Sequence, residues 1–217
     1  FQSAAKSTIP LDQLSLDFLP LPSRADADMR EVLVTSVHQD RLRRLRSVTT
    51  AAGLDLVSVG VSSIASAALV GLSQKGTVDV PGDVSLIVAR HGERLEISIT
   101  SQGYVYLTHS SQSESLSPVL GEISRSIVAL QKRLPGARVV RCWLIGSDDE
   151  ESELAAAIHE RFQCDVVRLD PFQAPTVKLA CTPDQSPHGA FAGPIGQLAR
   201  EISEAVATVD FLNPRMA

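Results

Sequence analysis

From residue 83 the chain runs through three strand patterns with very short connections, and only afterwards alternates helices with strands. That order leaves few sheets it can build. The strands are DVSLIVA (83–89), ERLEISIT (93–100) and GYVYLTH (103–109), and connections this short make antiparallel hairpins. Leu116, Leu120, Ile123, Ile127, Leu130 and Leu134 then recur at intervals of three and four, which predicts a long amphipathic helix. Pro118 suits its first turn, and Pro135 and Gly136 end it. RVVRCWLI (138–145) reads as a buried strand, 148–163 as a helix with an acidic start, 164–169 as a strand and 189–209 as a last helix with Ile195, Leu198, Ile202 and Val206 inward. The order βββαβαβα predicts a mixed sheet with helices on its faces, with 138–145 central and parallel to the first strand.

The preceding residues read as a smaller α/β part. Residues 15–19 suit an edge strand between prolines, and EVLVTSV (31–37) is rich in β-branched residues. After Asp40, residues Leu42, Leu45, Val48 and Ala52 fall near one helical face, with Gly53 as the stop. LDLVSVGV (54–61) reads as a further strand, and Ser62 or Ser63 caps a helix through Leu72. Residues 73–82, with two glycines and a proline, read as a linker. The expected division is a small part over 1–78, a larger one over 82–210 and an exit segment over 211–217. The chain opens on Phe1 rather than Met and reads as a piece of a longer protein.

Composition excludes several classes. The net charge of −5 and an aromatic content of 4% argue against a nucleic-acid binder. No apolar run reaches the ~18 residues of a membrane-spanning helix. Cys142, Cys164 and Cys181 are odd in number and contain no CxxC. They read as buried reduced thiols in a cytoplasmic protein rather than a disulfide or zinc framework. The five histidines never sit at the i, i+4 spacing of a metal site, and there is no G-x-S-x-G, P-loop or G-x-G-x-x-G. Cys181 and His188 lack a third orienting group.

Three further segments have two readings each. Arg90-His91-Gly92 is either an anion site or a solvated hairpin turn. The run SDDEESE (147–153) lacks the alternating ligands and glycine of a calcium loop and reads as a capped helix start. Arg41, Arg43, Arg44 and Arg46 surround a helix without forming one stripe, which suits a solvated face; anionic lipid or an acidic partner is the alternative.

The βββαβαβα order is the layout of the actin and ribonuclease-H-like half domain, so the expected fold class is α/β with an actin-like mixed sheet flanked by helices. Several segments carry a more specific resemblance: FQSAAKSTIPLDQLSLDF, the strand–helix–strand EVLVTSVHQDRLRRLRSVTTAAGLDLVSVGVSS with its A-G-L turn, LIVARHGERLEISITSQGYVYLTHS, and RVVRCWLIGSDDEESELAAAIHERFQCDVVRLDPF. Together they resemble the PilM family, actin-like assembly proteins of type IV pili. On this comparison the hairpin that opens the first half of the family is absent.

The resemblance implies where a nucleotide site would lie. Where family members carry D-x-G in the first hairpin of the second half, this chain has Arg90, His91 and Gly92; the second glycine turn is reduced to Gly146-Ser147 and followed by acidic residues. An arginine repels Mg²⁺ where a carboxylate would hold its water shell. The expectation is therefore a scaffold without cofactor, the alternative being ATP with Mg. Phe211, Leu212, Asn213 and Pro214 resemble the segment with which PilN-like inner-membrane partners dock onto PilM proteins, so they are the expected partner-binding residues. The function implied is a non-catalytic scaffold at the cytoplasmic face of an inner-membrane pilus- or secretion-type assembly, touching membrane only indirectly or through a downstream segment. The alternatives are an ATPase whose phosphate loop lies upstream and a small-molecule binding module. Self-association as a homo-oligomer is a further expected partnership.

Overall fold

Val84, Leu86 and Val88 are buried on one face of a strand, and Ile87 and Ala89 are buried on the other. A strand of this kind needs helices on both sides. The computed structural model describes residues 9–22, 31–74, 82–91, 93–112, 115–146, 151–173, 188–202 and 209–215. They fall into two units, Ser62–Ala207 and Phe1–Val61 with Thr208–Ala217.

The sheet of the larger unit contains β3 (Asp83–His91), β4 (Arg94–Ser101), β5 (Tyr104–Gln112), β6 (Arg138–Ile145) and β7 (Asp165–Arg168), in the spatial order β5-β4-β3-β6-β7. The first three strands are antiparallel, and β6 and β7 add in parallel, so the sheet is mixed. The β4–β5 hairpin turns on Gln102 and Gly103, at φ 51° and 78°. Two successive residues at positive φ form the primed turn that matches strand twist. The centre belongs to β3, whereas the sequence suggested 138–145; β6 is its parallel neighbour.

The helices α3 (Leu116–Arg133) and α4 (Glu151–Phe162) cover one face. Val119, Ile123, Leu130, Leu154 and Ile158 pack there on Leu86, Val88, Leu95, Ile97, Ile99, Cys142 and Leu144. The other face, where Ser98 alternates with the isoleucines of β4, meets α2 (Ser62–Ser73). Ser98 Oγ donates to Ser63 O at 3.3 Å, and Thr108 Oγ1 donates to Ser63 Oγ at 2.6 Å. Nearly every residue of α2 from Ser63 to Leu72 is buried, because α5 (Ala192–Ile202) lies against it.

α5 corrects the expected last helix. Leu198, read as inward, is 63% exposed, and the buried side is Ala192, Gly193 and Gly196. A Cβ on Gly193 would stand 2.8 Å from Ser62 Oγ, and one on Gly196 would overlap the Ala65 carbonyl oxygen. Backbone-to-backbone packing of this closeness selects the glycine face over the leucine face. Val206 and the rest of 203–208 lie outside the described residues.

The smaller unit pairs β1 (Leu14–Pro20) with β2 (Val32–His38) in an antiparallel hairpin, followed by α1 (Gln39–Ala51). Of the expected inward face of α1 only Leu42 is buried; Leu45 is 44% and Val48 68% exposed. Residues 54–61 are not a strand. Val59 donates its N–H to the Asp210 side chain rather than to a neighbouring strand, and its C=O accepts from Phe211 N at 2.9 Å. This unit also revises the expected division. α2 belongs to the larger unit, so the boundary falls after Val61 rather than at 78–82, and 211–217 is part of the smaller unit rather than an exit.

Candidate functional site

The parallel register of β3 and β6 ends at Ala89↔Ile145, so Arg90 and Gly146 follow at the same end of these two interior strands. The topology thus brings together two of the positions that the resemblance marks. His91 pairs across the hairpin with Arg94, and Gly92 and Ser147 lie outside the described residues. Sequence reasoning missed Gly189. A Cβ there would stand 2.6 Å from Gly146 N, so the turn at His188–Phe191 rests directly on the end of β6. Asp170, just beyond β7, accepts from Phe172 N at 2.9 Å and Gln173 Nε2 at 3.0 Å, and its Oδ2 lies 3.3 Å from His188 Nδ1. The Phe172 ring packs edge-on against His188 and tilted against Phe191. His188 therefore faces a carboxylate, and Cys181 lies outside the described residues.

What these strand ends can do is limited by charge. Arg90 supplies a cation, and among the described residues no group of three or more His, Cys, Asp or Glu could hold a metal. The buried carboxylate of the hairpin, Glu96, is held through Oε1 by Arg94 Nη2 at 2.8 Å, while its Oε2 has no hydrogen-bond partner. Cys142 and Cys164 are free and buried. Burial, reinforced by Cys164, pushes the Cys142 thiol well above its usual value, and burial followed by Asp165 raises Cys164. Thiols so shifted are poor nucleophiles.

The second site lies within the smaller unit. Asp17 is 2% exposed in the middle of β1, where aspartate is disfavoured. Its Oδ1 accepts from Phe18 N at 2.8 Å and Arg215 N at 3.1 Å, and its Oδ2 accepts from Asp210 N at 2.8 Å and Arg215 Nη1 at 3.2 Å. Arg215 Nη1 also donates to Phe18 O at 2.9 Å, and Ser15 Oγ donates to Phe211 O at 2.9 Å. Asp210 accepts from Val59 N at 3.2 Å and Leu212 N at 3.0 Å through Oδ1, and from Asn213 Nδ2 at 2.9 Å through Oδ2. Burial pushes the Asp210 carboxyl up, but these donors outweigh it and hold its pKa below the ordinary aspartate value.

Among the expected partner-binding residues, Phe211 is buried, Leu212 is half-buried, and Asn213 and Pro214 are exposed. Asn213 Nδ2 also reaches Val57 O at 3.2 Å. Residues 211–217 were expected to be an exit segment; Arg215 instead returns to Asp17. Asp17, Asp210 and Arg215 were missed, and a mid-strand aspartate between Leu16 and Phe18 was the signal that could have found the first of them.

Comparison with known proteins agrees with the architecture. The sheet order, with β4 antiparallel to β3 and two parallel strands added on the other side, is that of an actin-like, ribonuclease-H-like α/β fold. No protein-family model matches the chain, and no curated protein matches it. A solved structure of the PilM-PilN type IV pilus biogenesis complex superposes with a TM-score of 0.68 at 16% identity, covering 93% of this chain and 70% of that one. A Bacteroides thetaiotaomicron protein with an actin-like ATPase fold and unknown function matches with a TM-score of 0.42 at 10% identity, over 77% of this chain and 58% of that one. The chain has a PilM-like, actin-like fold.

Proposed function

We propose that the chain is a non-catalytic, PilM-like scaffold that binds protein at the cytoplasmic face of an inner-membrane pilus- or secretion-type assembly, with a PilN-like membrane protein as its partner. The observation that carries this reading is the seating of VDFLNPR (209–215) on the smaller unit, where buried Asp17 gathers two backbone amides and a guanidinium from it. It is supported by the likeness of fold to a complex that itself contains PilN, and by an arginine at the strand end where metal-bound phosphate would need a carboxylate. The test is calorimetric titration of the full chain with the docking segment of a PilN-like membrane protein from the same organism. Saturable binding supports the scaffold; none at millimolar peptide overturns the choice of partner.

A second reading, an actin-like ATPase completed by an upstream phosphate loop, is favoured by the meeting of Arg90, Gly146 and Gly189 at one end of the interior strands β3 and β6. Titration with ATP and Mg²⁺ separates the two. The scaffold reading expects no affinity tighter than millimolar, about −4 kcal/mol. Micromolar affinity abolished by Arg90→Ala or Gly146→Ala would establish the ATPase instead.

A further inference from the structure

We propose that the exposed face of α1 lies on an anionic phospholipid surface, with Arg41, Arg44 and Arg46 among the headgroups and Leu45, Val48 and Leu54 at the boundary of the acyl region. The inference goes beyond the protein-binding reading above and needs none of its partners.

The charge of α1 runs against that of the chain. Its four arginines and one aspartate leave it at +3, in a protein whose net charge is −5. Arg43 is paired with Asp40 one turn earlier. Among the described residues Arg41, Arg44 and Arg46 have no carboxylate partner, and all three are exposed.

The helix is also almost uncovered. Leu42 is the one buried residue of its 13, although a helix this short draws most of its stability from packing an apolar face. Arg41, Leu45, Val48 and Ala52 follow one another at spacings of four, three and four, and Arg44 stands four before Val48. Residues so spaced share one side of a helix, and here that side is exposed. The stop of the helix extends it. Gly53, at φ 70°, donates its N–H to Thr50 O at 3.0 Å, and Leu54 N donates to Thr49 O at 2.9 Å. This pair of bonds folds the residue after the glycine back toward the last turn, so exposed Leu54 adds to the end of α1 that carries Val48.

The mixture of cations and apolar side chains selects the occupant. A purely polar polyanion would leave Leu45, Val48 and Leu54 in water, and an apolar groove would strip water from the arginines. A phospholipid surface receives both, because arginine stems reach the phosphates while apolar side chains enter the boundary beneath them. The arginines surround the helix rather than forming one stripe. Fluid anionic headgroups move to meet such charges, whereas a folded acidic partner would have to hold its carboxylates in register with them. At 13 residues α1 is too short to span a bilayer, so it lies along the interface.

The experiment is sedimentation of the full chain with vesicles of phosphatidylcholine, alone or mixed with phosphatidylglycerol, at about 0.15 M salt. Binding is expected to the anionic vesicles only, and lost in about 1 M salt. Each arginine near such a surface is worth roughly fivefold, so Arg41→Gln with Arg44→Gln should weaken binding about twentyfold. Leu45→Ser with Val48→Ser, which keeps every charge, should weaken it severalfold. Circular dichroism checks the fold of both pairs. Should a pair fail to fold, Val48→Cys carrying an environment-sensitive dye in a Cys181→Ser background replaces it. A blue shift on anionic vesicles then supports the proposal, and an unchanged spectrum overturns it. Equal binding to the two kinds of vesicle, or binding to neither, overturns it, as does a glutamine pair that binds like the unaltered chain. Anionic binding untouched by the serine pair would mean charge attraction without apolar contact, and overturns the seating of α1 at the boundary. Retention on immobilised polyglutamate without vesicle binding would assign the face to an acidic protein and overturn the lipid surface. No peptide enters the assay, so its failure leaves the protein-binding reading standing, and failure of the PilN-like peptide to bind leaves this one standing.

Discussion

The carboxylate of Asp17 accepts the backbone N–H of Asp210 at 2.8 Å across 193 residues of chain, inside the smaller unit and shielded from water. An asparagine of the same size would offer one acceptor oxygen and turn an NH₂ group toward amides that also donate. Asp17→Asn should therefore cost about 1–3 kcal/mol, the usual effect of leaving buried donors without an acceptor. Thermal melts followed by circular dichroism would measure it; a change under 1 kcal/mol would mean that the segment is held by Phe211 alone.

Asp210 sets a pH dependence. Its pKa in the folded chain lies below the ordinary aspartate value, although burial pushes the other way. The folded state therefore binds this proton more weakly than the unfolded state does, and the stabilisation is present above the unfolded pKa. It is lost as pH falls through the folded pKa, below about 3.9. Acid unfolding of Asp210→Asn should lack this component, which urea titrations at pH 7 and pH 3 would resolve.

The contact of α5 with α2 leaves no room for a methyl group. Gly196→Ala should displace α5 from Ala65 and destabilise by roughly 1–3 kcal/mol or more, whereas Gly121→Ala, whose Cβ would meet only the Arg125 guanidinium at 3.6 Å, should not. Denaturant unfolding of the pair gives the comparison, and equal midpoints would show that α5 shifts freely.

Cys142 and Cys164 should be inert to aromatic disulfide reagents in the native chain, because burial raises both thiols. In a Cys181→Ser background the expected result is no labelling at pH 8 and full labelling in denaturant. Rapid native labelling would contradict the buried placement.

Val48 stands 68% exposed on α1. Val48→Lys should leave the melting temperature unchanged within the ±0.5 kcal/mol typical of surface changes, where a core position would lose several. A large loss would place this helix face against another surface in solution.

The strands from residue 83 and the long α3 were legible in the sequence because local rules fix them: alternation of period two and apolar spacing of three and four. The turn at Gln102-Gly103 was not, because glutamine at positive φ is an exception to those rules. Those rules, applied from residue 83, gave the mixed sheet with 138–145 parallel to its first strand. Arg90 and Gly146 came from the family resemblance alone, as positions of a degenerate nucleotide site, and no local rule placed them side by side. The helix faces were less legible. Leu45, Val48 and Leu198 follow the spacing of inward residues and are exposed, because which face is covered depends on what the chain brings against it. Gly193 and Gly196 win in α5 since a backbone can approach a bare glycine closely enough to touch Ala65. Residues 54–61 have strand composition but no strand, because their donors and acceptors meet a distant carboxylate and a distant turn rather than a parallel edge. The sequence by itself determined most of the elements and their order, 54–61 excepted. The tertiary structure alone decided that Asp17, 193 residues before Asp210, would be buried with it, since a charge can leave water only where long-range folding supplies the donors to receive it.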